Sequence, residues 1–214
     1  MKNACQKSCF ENLEYKNLHM YDNLQSNLVV LRKPLSNDIF AINNWLSDYE
    51  TWKNYSPTKQ FLSFNDVYQL PENTYVITDR LCLIDMGFVS FRCYNKNRKE
   101  GLFDIVIGDK RYRKNGYAFD VTVLYLYYLF NNCNVETVRC EILNTNINSY
   151  ISAVKMGFDY QKTTDIIKKN HEIIYILHFA LTKNKFNNNH LINWYITHYK
   201  GGDTLWAVET RHQN

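Results

Sequence analysis

Apolar residues recur along this chain in two rhythms, every second position and every third or fourth, and the changes of rhythm mark its elements. Residues 28–32 (LVVLR) are an apolar, β-branched run stopped by Lys33-Pro34, which predicts a strand. Ser36, Asn37 and Asp38 then offer caps for a helix in which Ile39, Ile42, Trp45 and Leu46 recur on one face. A second short helix is expected over residues 48–55, ended by Pro57. From Asn73 the spacing turns to strands: residues 74–78 (TYVIT), a tight turn at Asp79-Arg80, and residues 81–93, with a bulge or close backbone contact at Gly87. The charged turn of residues 95–101 (NKNRKEG) returns the chain antiparallel into residues 102–107 (LFDIVI).

That strand crosses a basic turn, residues 108–115, into a long apolar helix, residues 116–130, stopped by the polar run Asn131, Asn132, Cys133 and Asn134. Residues 135–143 (VETVRCEIL) alternate as a strand. Asn144, Thr145 and Asn146 cap a helix over residues 147–156 closed by Gly157, and residues 158–160 and 173–182 supply the last two strands. The order predicts an α+β fold on a mixed, mostly antiparallel sheet with flanking helices. One domain spans residues 28–182, with a polar N-terminal extension (1–27) and a C-terminal extension (183–214). In the latter, Leu191, Trp194, Tyr195, His198 and Tyr199 form an amphipathic stretch ended by Gly201-Gly202, suited to covering the sheet or to binding a second subunit in a homodimer.

Composition narrows the partners. A chain of 214 residues, 45% apolar, buries one substantial core. Its net charge of +4 suits an anionic ligand but falls short of a nucleic-acid-binding balance, so no nucleic-acid partner is expected. The six cysteines form no C-x-x-C pair, Cys5 and Cys9 are a weak metal signal, and His190 and His198 are not at metal-ligand spacing on one face, so no metal site is expected. No apolar leader opens the sequence and the longest apolar run, residues 121–130, is too short to cross a bilayer. These features predict no membrane association and a reducing cytoplasm.

The chemistry-bearing stretch is the turn at residues 108–118. A strand that feeds a helix through a short loop leaves several backbone N–H groups unpaired where the helix dipole is positive, which makes an anion seat. Gly116 permits close approach to the backbone, Ala118 keeps the next turn narrow, and Lys110, Arg111, Arg113 and Lys114 place cations at the rim. The spacing is neither G-x-G-x-x-G nor G-x-x-x-x-G-K-[ST]. Arg113-Lys114-Asn115-Gly116-Tyr117-Ala118 instead resembles the [Q/R]-x-x-G-x-[G/A] loop with which acetyltransferases of the GNAT superfamily hold the pyrophosphate of acetyl-coenzyme A. Residues 84–89 (IDMGFV) resemble the I-G-F strand of the branch that contains the Rim-type and spermidine acetyltransferases. Asn146 and Ser149, followed by Lys155, Gly157 and Phe158, are similar to that branch's N-x-x-S-x-x-x-x-x-K-x-G-F.

The resemblance covers roughly residues 28–182 and implies a GNAT fold whose sheet splays at its centre, between the 102–107 and 135–143 strands. It implies acetyl-CoA as acyl donor, its arm lying in the wedge against backbone groups of Val106, Ile107 and Gly108, its phosphates on the amides from Arg113 to Ala118, with Asn146 as a polar contact. The implied reaction is direct attack of a primary amine, in a protein N-terminus, a polyamine or a small molecule, on the thioester. Glu141 is the first choice of base, where some Rim-type relatives place a glutamate, and Asp104 the second; the alternative for each is a solvated strand carboxylate. Many relatives use a tyrosine as acid seven residues after the asparagine, where this chain has Ala153. Ser149 resembles the serine used in part of the branch, Tyr150 substitutes only if the helix is rotated, and Ser149 otherwise caps the helix or bonds the cofactor. Asp48, Glu50, Asp85 and Asp104 are candidates for drawing in an amine. The departure at Ala153 keeps open a second reading, a non-catalytic acyl-CoA-binding or interaction module with the same fold.

Overall fold

In the computed structural model, residues 23–55, 70, 73–169 and 172–199 are described, and eight strands and six helices alternate through them. The chain runs β1 (Asn23–Gln25), β2 (Val29–Arg32), α1 (Asp38–Ser47), α2 (Tyr49–Tyr55), β3 (Thr74–Asp79), β4 (Asp85–Asn95) and β5 (Glu100–Ile107). A 3₁₀ turn (Lys110–Tyr112) leads to α3 (Tyr117–Asn131), β6 (Thr137–Leu143), α4 (Ile147–Lys155), β7 (Asp159–Lys169), β8 (Glu172–Thr182), α5 (Lys183–Asn187) and α6 (His190–Tyr199). The strands form one sheet in the order β1-β2-β3-β4-β5-β6-β8-β7, antiparallel everywhere except between β5 and β6.

Helix α3 is apolar almost all round because the sheet meets one side of it and the C-terminal helices another. Val121, Leu124, Tyr125, Leu129 and Phe130 are buried with Tyr75, Val89, Phe91, Phe103 and Val138 of the strands and with Phe186 and Ile192 of α5 and α6. Each such aliphatic side chain contributes about 1.5–3 kcal/mol on burial. The buried Tyr125 hydroxyl donates to the Asn73 carbonyl at 2.7 Å, and the buried Asp120 accepts from the hydroxyls of Ser26 and Tyr195. That carboxylate ties the β1–β2 turn and α6 to the first turn of α3. On the opposite face of the sheet α1 and α2 cover a smaller cluster built on Ile42, Leu46, Phe88 and Val106.

Three local expectations change. Residues 81–84 belong to a loop, because Asp79 Oδ1 accepts from the amides of Leu81 and Cys82 and makes a side-chain-capped turn, leaving Leu81 89% exposed. Strand β7 extends to Lys169 and pairs with β8 along its length, where only residues 158–160 were expected: the polar run of residues 161–165 hid a β-compatible segment. β1 lies within residues 1–27 and joins the sheet. The close contact at Gly87 is present: the β3–β4 register slips beside it, and a Cβ there would stand 2.0 Å from the Val106 carbonyl oxygen. Cys133 and Cys140 are buried, and burial pushes the Cys133 thiol up to about 11. Cys5, Cys9, Pro57 and Gly201-Gly202 lie outside the described residues. Among the described residues no helix is long and apolar enough to cross a membrane, and no group of three His, Cys, Asp or Glu is placed to hold a metal.

Candidate active site

The sheet divides between β5 and β6. Their parallel pairing is limited to Glu100, Gly101 and Leu102 against Thr137, Val138 and Arg139. Beyond it β5 stays with β4 as far as Ile107, while β6 stays with β8 as far as Leu143. The two strands therefore part toward their carboxyl ends, where β5 leads to α3 and β6 to α4, so two helix N-termini flank the opening. Crevices at the carboxyl ends of diverging parallel strands are the recurrent ligand sites of such sheets.

The loop after β5 fits an anion. Lys114 and Gly116 both have positive φ, 66° and 86°, which turns successive N–H groups outward as a concave nest. The amides of Lys114, Asn115, Gly116, Tyr117 and Ala118 have no hydrogen-bond partner among the described residues; the first backbone bond of α3 runs from the Asp120 amide to the Gly116 carbonyl at 3.0 Å. A Cβ at Gly116 would meet nothing within 4 Å, so the seat is open. The Arg113 amide is the exception in the expected row, donating to the Lys110 carbonyl at 3.2 Å.

Three of the four expected rim cations are engaged elsewhere. Lys110 pairs with Asp48 at 2.8 Å, and Arg111 with Asp109 at 2.6 Å. Arg113 folds back over the loop: its Nε donates to the Ile107 carbonyl at 2.9 Å, and its guanidinium donates to the Gly108 carbonyl at 3.0 Å and the Thr51 hydroxyl at 2.6 Å. Arg113 is thus a clamp joining the loop to α2, and Lys114 alone of the four has no polar partner among the described residues. Asn115 donates its side-chain amide to the Arg111 carbonyl. The Tyr117 hydroxyl donates to Asp79 at 2.6 Å, and that bond, aided by burial, pushes it up to about 12.

Along β5 the expectation of a free edge at Val106, Ile107 and Gly108 needs correction. The Gly108 N–H donates to the Met86 carbonyl at 2.8 Å. In an antiparallel ladder, residues alternate between facing the partner strand and facing away. The Gly108 N–H and the backbone groups of Val106 and Asp104 accordingly turn to β4, and Ile105 and Ile107 turn theirs to the opening. The Ile107 carbonyl is taken by Arg113, which leaves its N–H and both groups of Ile105. Gly108 has a steric role instead, since a Cβ there would stand 2.1 Å from the Trp45 indole.

Side chains on the α1–α2 face of the split carry its titratable groups. Asp104 is held by Arg92 at 2.5 Å, so its carboxylate is already engaged as an ion-pair acceptor. Asp48, Glu50 and Asp85 are likewise paired, with Lys110, Lys53 and Arg32. Tyr55 packs beside the Arg92–Asp104 pair, and burial, with the Asp104 charge, pushes its hydroxyl far up. Glu141 differs. It lies on the part of β6 that has left β5, with no Lys or Arg within ion-pair distance among the described residues; its neighbour is His178, Nδ1 to Oε1 3.6 Å. The structure thus brings Asp104 and Glu141 to one face but leaves only Glu141 unneutralised.

On α4, Asn146 caps the helix, its Oδ1 accepting from the Ser149 amide at 3.2 Å and its Nδ2 donating to the Asn54 carbonyl at 3.2 Å. It is a strut between α4 and α2, with one N–H left to give. The Ser149 hydroxyl has no partner among the described residues. Tyr150 points away, its ring against Phe179, and Ala153 is buried in the main core. His178, Thr164, Trp45 and Arg92 were missed by sequence reasoning. The signals that place them, a strand register and a helix crossing a glycine, exist only once the topology is known.

The sequence model of the Acetyltransferase (GNAT) domain matches residues 29–159, more than half of the 214-residue chain. No curated protein matches the chain. Among solved structures, a GNAT-family acetyltransferase from Bacillus anthracis is similar at a TM-score of 0.65 and 17% identity, over 76% of this chain and 99% of that one. A spermidine N-acetyltransferase from Vibrio cholerae, in complex with CoA and spermine, is similar at 0.65 and 17% identity, over 75% and 99%. A GCN5-related N-acetyltransferase from Brucella melitensis is similar at 0.69 and 9% identity, over 89% and 92%.

Proposed function

The chain belongs to the GNAT acetyltransferase family, and from that premise we propose that it is an acetyl-CoA-dependent N-acetyltransferase acting on a primary amine. The observation that carries the reading is the row of unpartnered amides at residues 114–118 opening beside a split sheet. Acetyl-CoA fits there on the donor chemistry of the loop: five free N–H groups, the positive end of α3, an open space at Gly116 and an unpaired Lys114 suit a diphosphate. When bound, it supplies an acyl thioester.

The chain's own residues supply the rest. The amides of Lys114, Asn115, Gly116, Tyr117 and Ala118 hold the phosphates, and the free edge of Ile105 and Ile107 holds the amide-bearing arm as an added half-strand. Asn146, through its remaining N–H, contacts the same arm. An amine attacks only when neutral, and Glu141, which has no Lys or Arg within ion-pair distance among the described residues, takes its proton. The Ser149 hydroxyl stands in the first turn of α4 to return a proton to the leaving thiolate. The acceptor is a polyamine, a protein N-terminus or a small-molecule amine, and the spermine held by the Vibrio cholerae protein supports the first of these. The reading places the work in the cytoplasm, without nucleic acid, membrane or metal.

A second reading, an acyl-CoA-binding module without turnover, is favoured by one observation: the position of the family's acidic tyrosine is Ala153, buried in the core. Free-thiol release from acetyl-CoA across an amine library separates the two. The transferase reading expects turnover with at least one primary amine; tight donor binding with no turnover supports the module.

A further inference from the structure

We infer that His178 works with Glu141 as a joint proton acceptor, the amine's proton passing to the carboxylate and then being shared with the imidazole; this rests on the transferase reading above. His178 stands directly across from Glu141 in the β6–β8 register, so both side chains rise from the same face of the sheet. Its Nδ1 lies 3.6 Å from Glu141 Oε1, and its Nε2 is hydrogen-bonded to the Thr164 hydroxyl on β7.

A separation of 3.6 Å is too long for a hydrogen bond. It suits two acceptors facing each other. In the tautomer in which Nε2–H donates to Thr164 Oγ1, the Nδ1 lone pair is turned to the carboxylate and no proton stands between them. The ammonium N–H bond breaks with its electron pair left on nitrogen, an O–H bond forms on Glu141, and the proton then binds Nδ1, giving an imidazolium against a carboxylate. Because the Glu141 side chain is 29% exposed, the pair returns that proton to water. An isolated carboxylate is a weak base toward an ammonium, and the neighbouring imidazole gives the proton a second lone pair to bind.

The other groups facing the pair do not substitute for it. Lys162 is the register partner of His178 on β7. Arg92 and Asp104 neutralise each other on the neighbouring strands, with Tyr55 of α2 beside them. Cys140 precedes Glu141 but points to the opposite face and is buried. His178 is therefore the group at this face that stands beside Glu141 with a ring nitrogen to offer a proton.

The test is kcat against pH at saturating acetyl-CoA for the full chain and its variants, with one amine acceptor throughout. His178→Gln is expected to lower kcat about tenfold and to change the acidic limb of the profile, with acetyl-CoA affinity by calorimetry unchanged. Glu141→Gln combined with His178→Gln should be no slower than Glu141→Gln alone, because the two act as a unit. Thr164→Val, which keeps the ring but removes the acceptor that fixes its tautomer, should give a smaller fall in kcat. Wild-type kcat and limb in His178→Gln, or losses that multiply in the double variant, would overturn this inference alone. Absence of turnover by the wild type with every amine would overturn it together with the transferase reading.

Discussion

The two banks of the split sheet are built of different material. On the β5 side the seat is backbone: the amides of residues 114–118 are unpartnered, and the side chains that looked like its ligands mostly serve the loop itself, Arg113 on the carbonyls of Ile107 and Gly108, Arg111 on Asp109. On the β6 side the site is side chain: Glu141 and His178 face each other across two strands while the surrounding carboxylates are neutralised by Lys and Arg. A diphosphate is the same in every donor molecule, and a fixed nest of N–H groups recognises it without side-chain entropy. Amine acceptors differ, and a bank of side chains is where such differences are read.

Substitutions that touch one bank should leave the other's readout intact. The largest effect is expected from Gly116→Asp, which sets a carboxylate in the open seat where phosphate belongs. Like-charge apposition costs several kcal/mol, so affinity for acetyl-CoA in calorimetry should fall about 1000-fold. Nothing lies within 4 Å of the new Cβ, but the left-handed backbone at Gly116 strains any side chain there by about 1–2 kcal/mol, so the fold should survive at somewhat lower stability. Glu141→Gln is the converse: kcat lower by about 100-fold with acetyl-CoA affinity unchanged. Equal losses of affinity in both variants would erase the distinction between the banks.

Arg113→Ala should act on stability before it acts on the ligand. It takes the guanidinium from the carbonyls of Ile107 and Gly108 and from the Thr51 hydroxyl, which keeps its bond to Asp48, and hydrogen bonds to a charged group contribute about 1.5–3 kcal/mol. A drop of that order in chemical denaturation, with donor binding weakened through a loosened loop, is the expected outcome; unchanged stability would show that the clamp is not needed.

The smallest effect concerns Asp120, behind the loop on α3. Burial raises its carboxyl above the ordinary range against the opposing bonds from Ser26 and Tyr195. A group whose folded value lies above its unfolded one stabilises the fold when protonated, and that stabilisation is lost as pH rises from the unfolded value through the folded one. Asp120→Asn, fixed neutral, should therefore gain stability relative to wild type across that window and level off above it. A constant difference between the two proteins from pH 3 to pH 7 would contradict the assignment.

Much of the donor bank was legible because backbone geometry follows local rules. A strand, a glycine and an apolar helix in succession mark where a helix begins, and α3 does begin directly after Gly116. The split followed from family resemblance rather than from periodicity, since nothing in residues 102–107 or 135–143 reveals that their pairing stops at Leu102 and Arg139. Arg113 misled because a sequence shows a charge but not its partner; the carbonyls of Ile107 and Gly108, six and five residues back, take its guanidinium. The acceptor bank was the least legible. His178 lies 37 positions from Glu141, and only the antiparallel register of β6 with β8 brings them together. Threonines 163 and 164 hid a strand for the same reason, since their polarity suggested a loop while their branching suited β7.

The central claim is that the amides at the start of α3 receive the donor's diphosphate. Amide chemical shifts of the isotope-labelled protein, followed as acetyl-CoA is added, test it directly. The account predicts saturable shifts in the N–H resonances of Lys114, Asn115, Gly116, Tyr117 and Ala118, smaller ones at Ile105 and Ile107, and the same response to CoA without its acetyl group. Resonances at residues 114–118 that stay in place while saturable shifts gather elsewhere on the protein would contradict it.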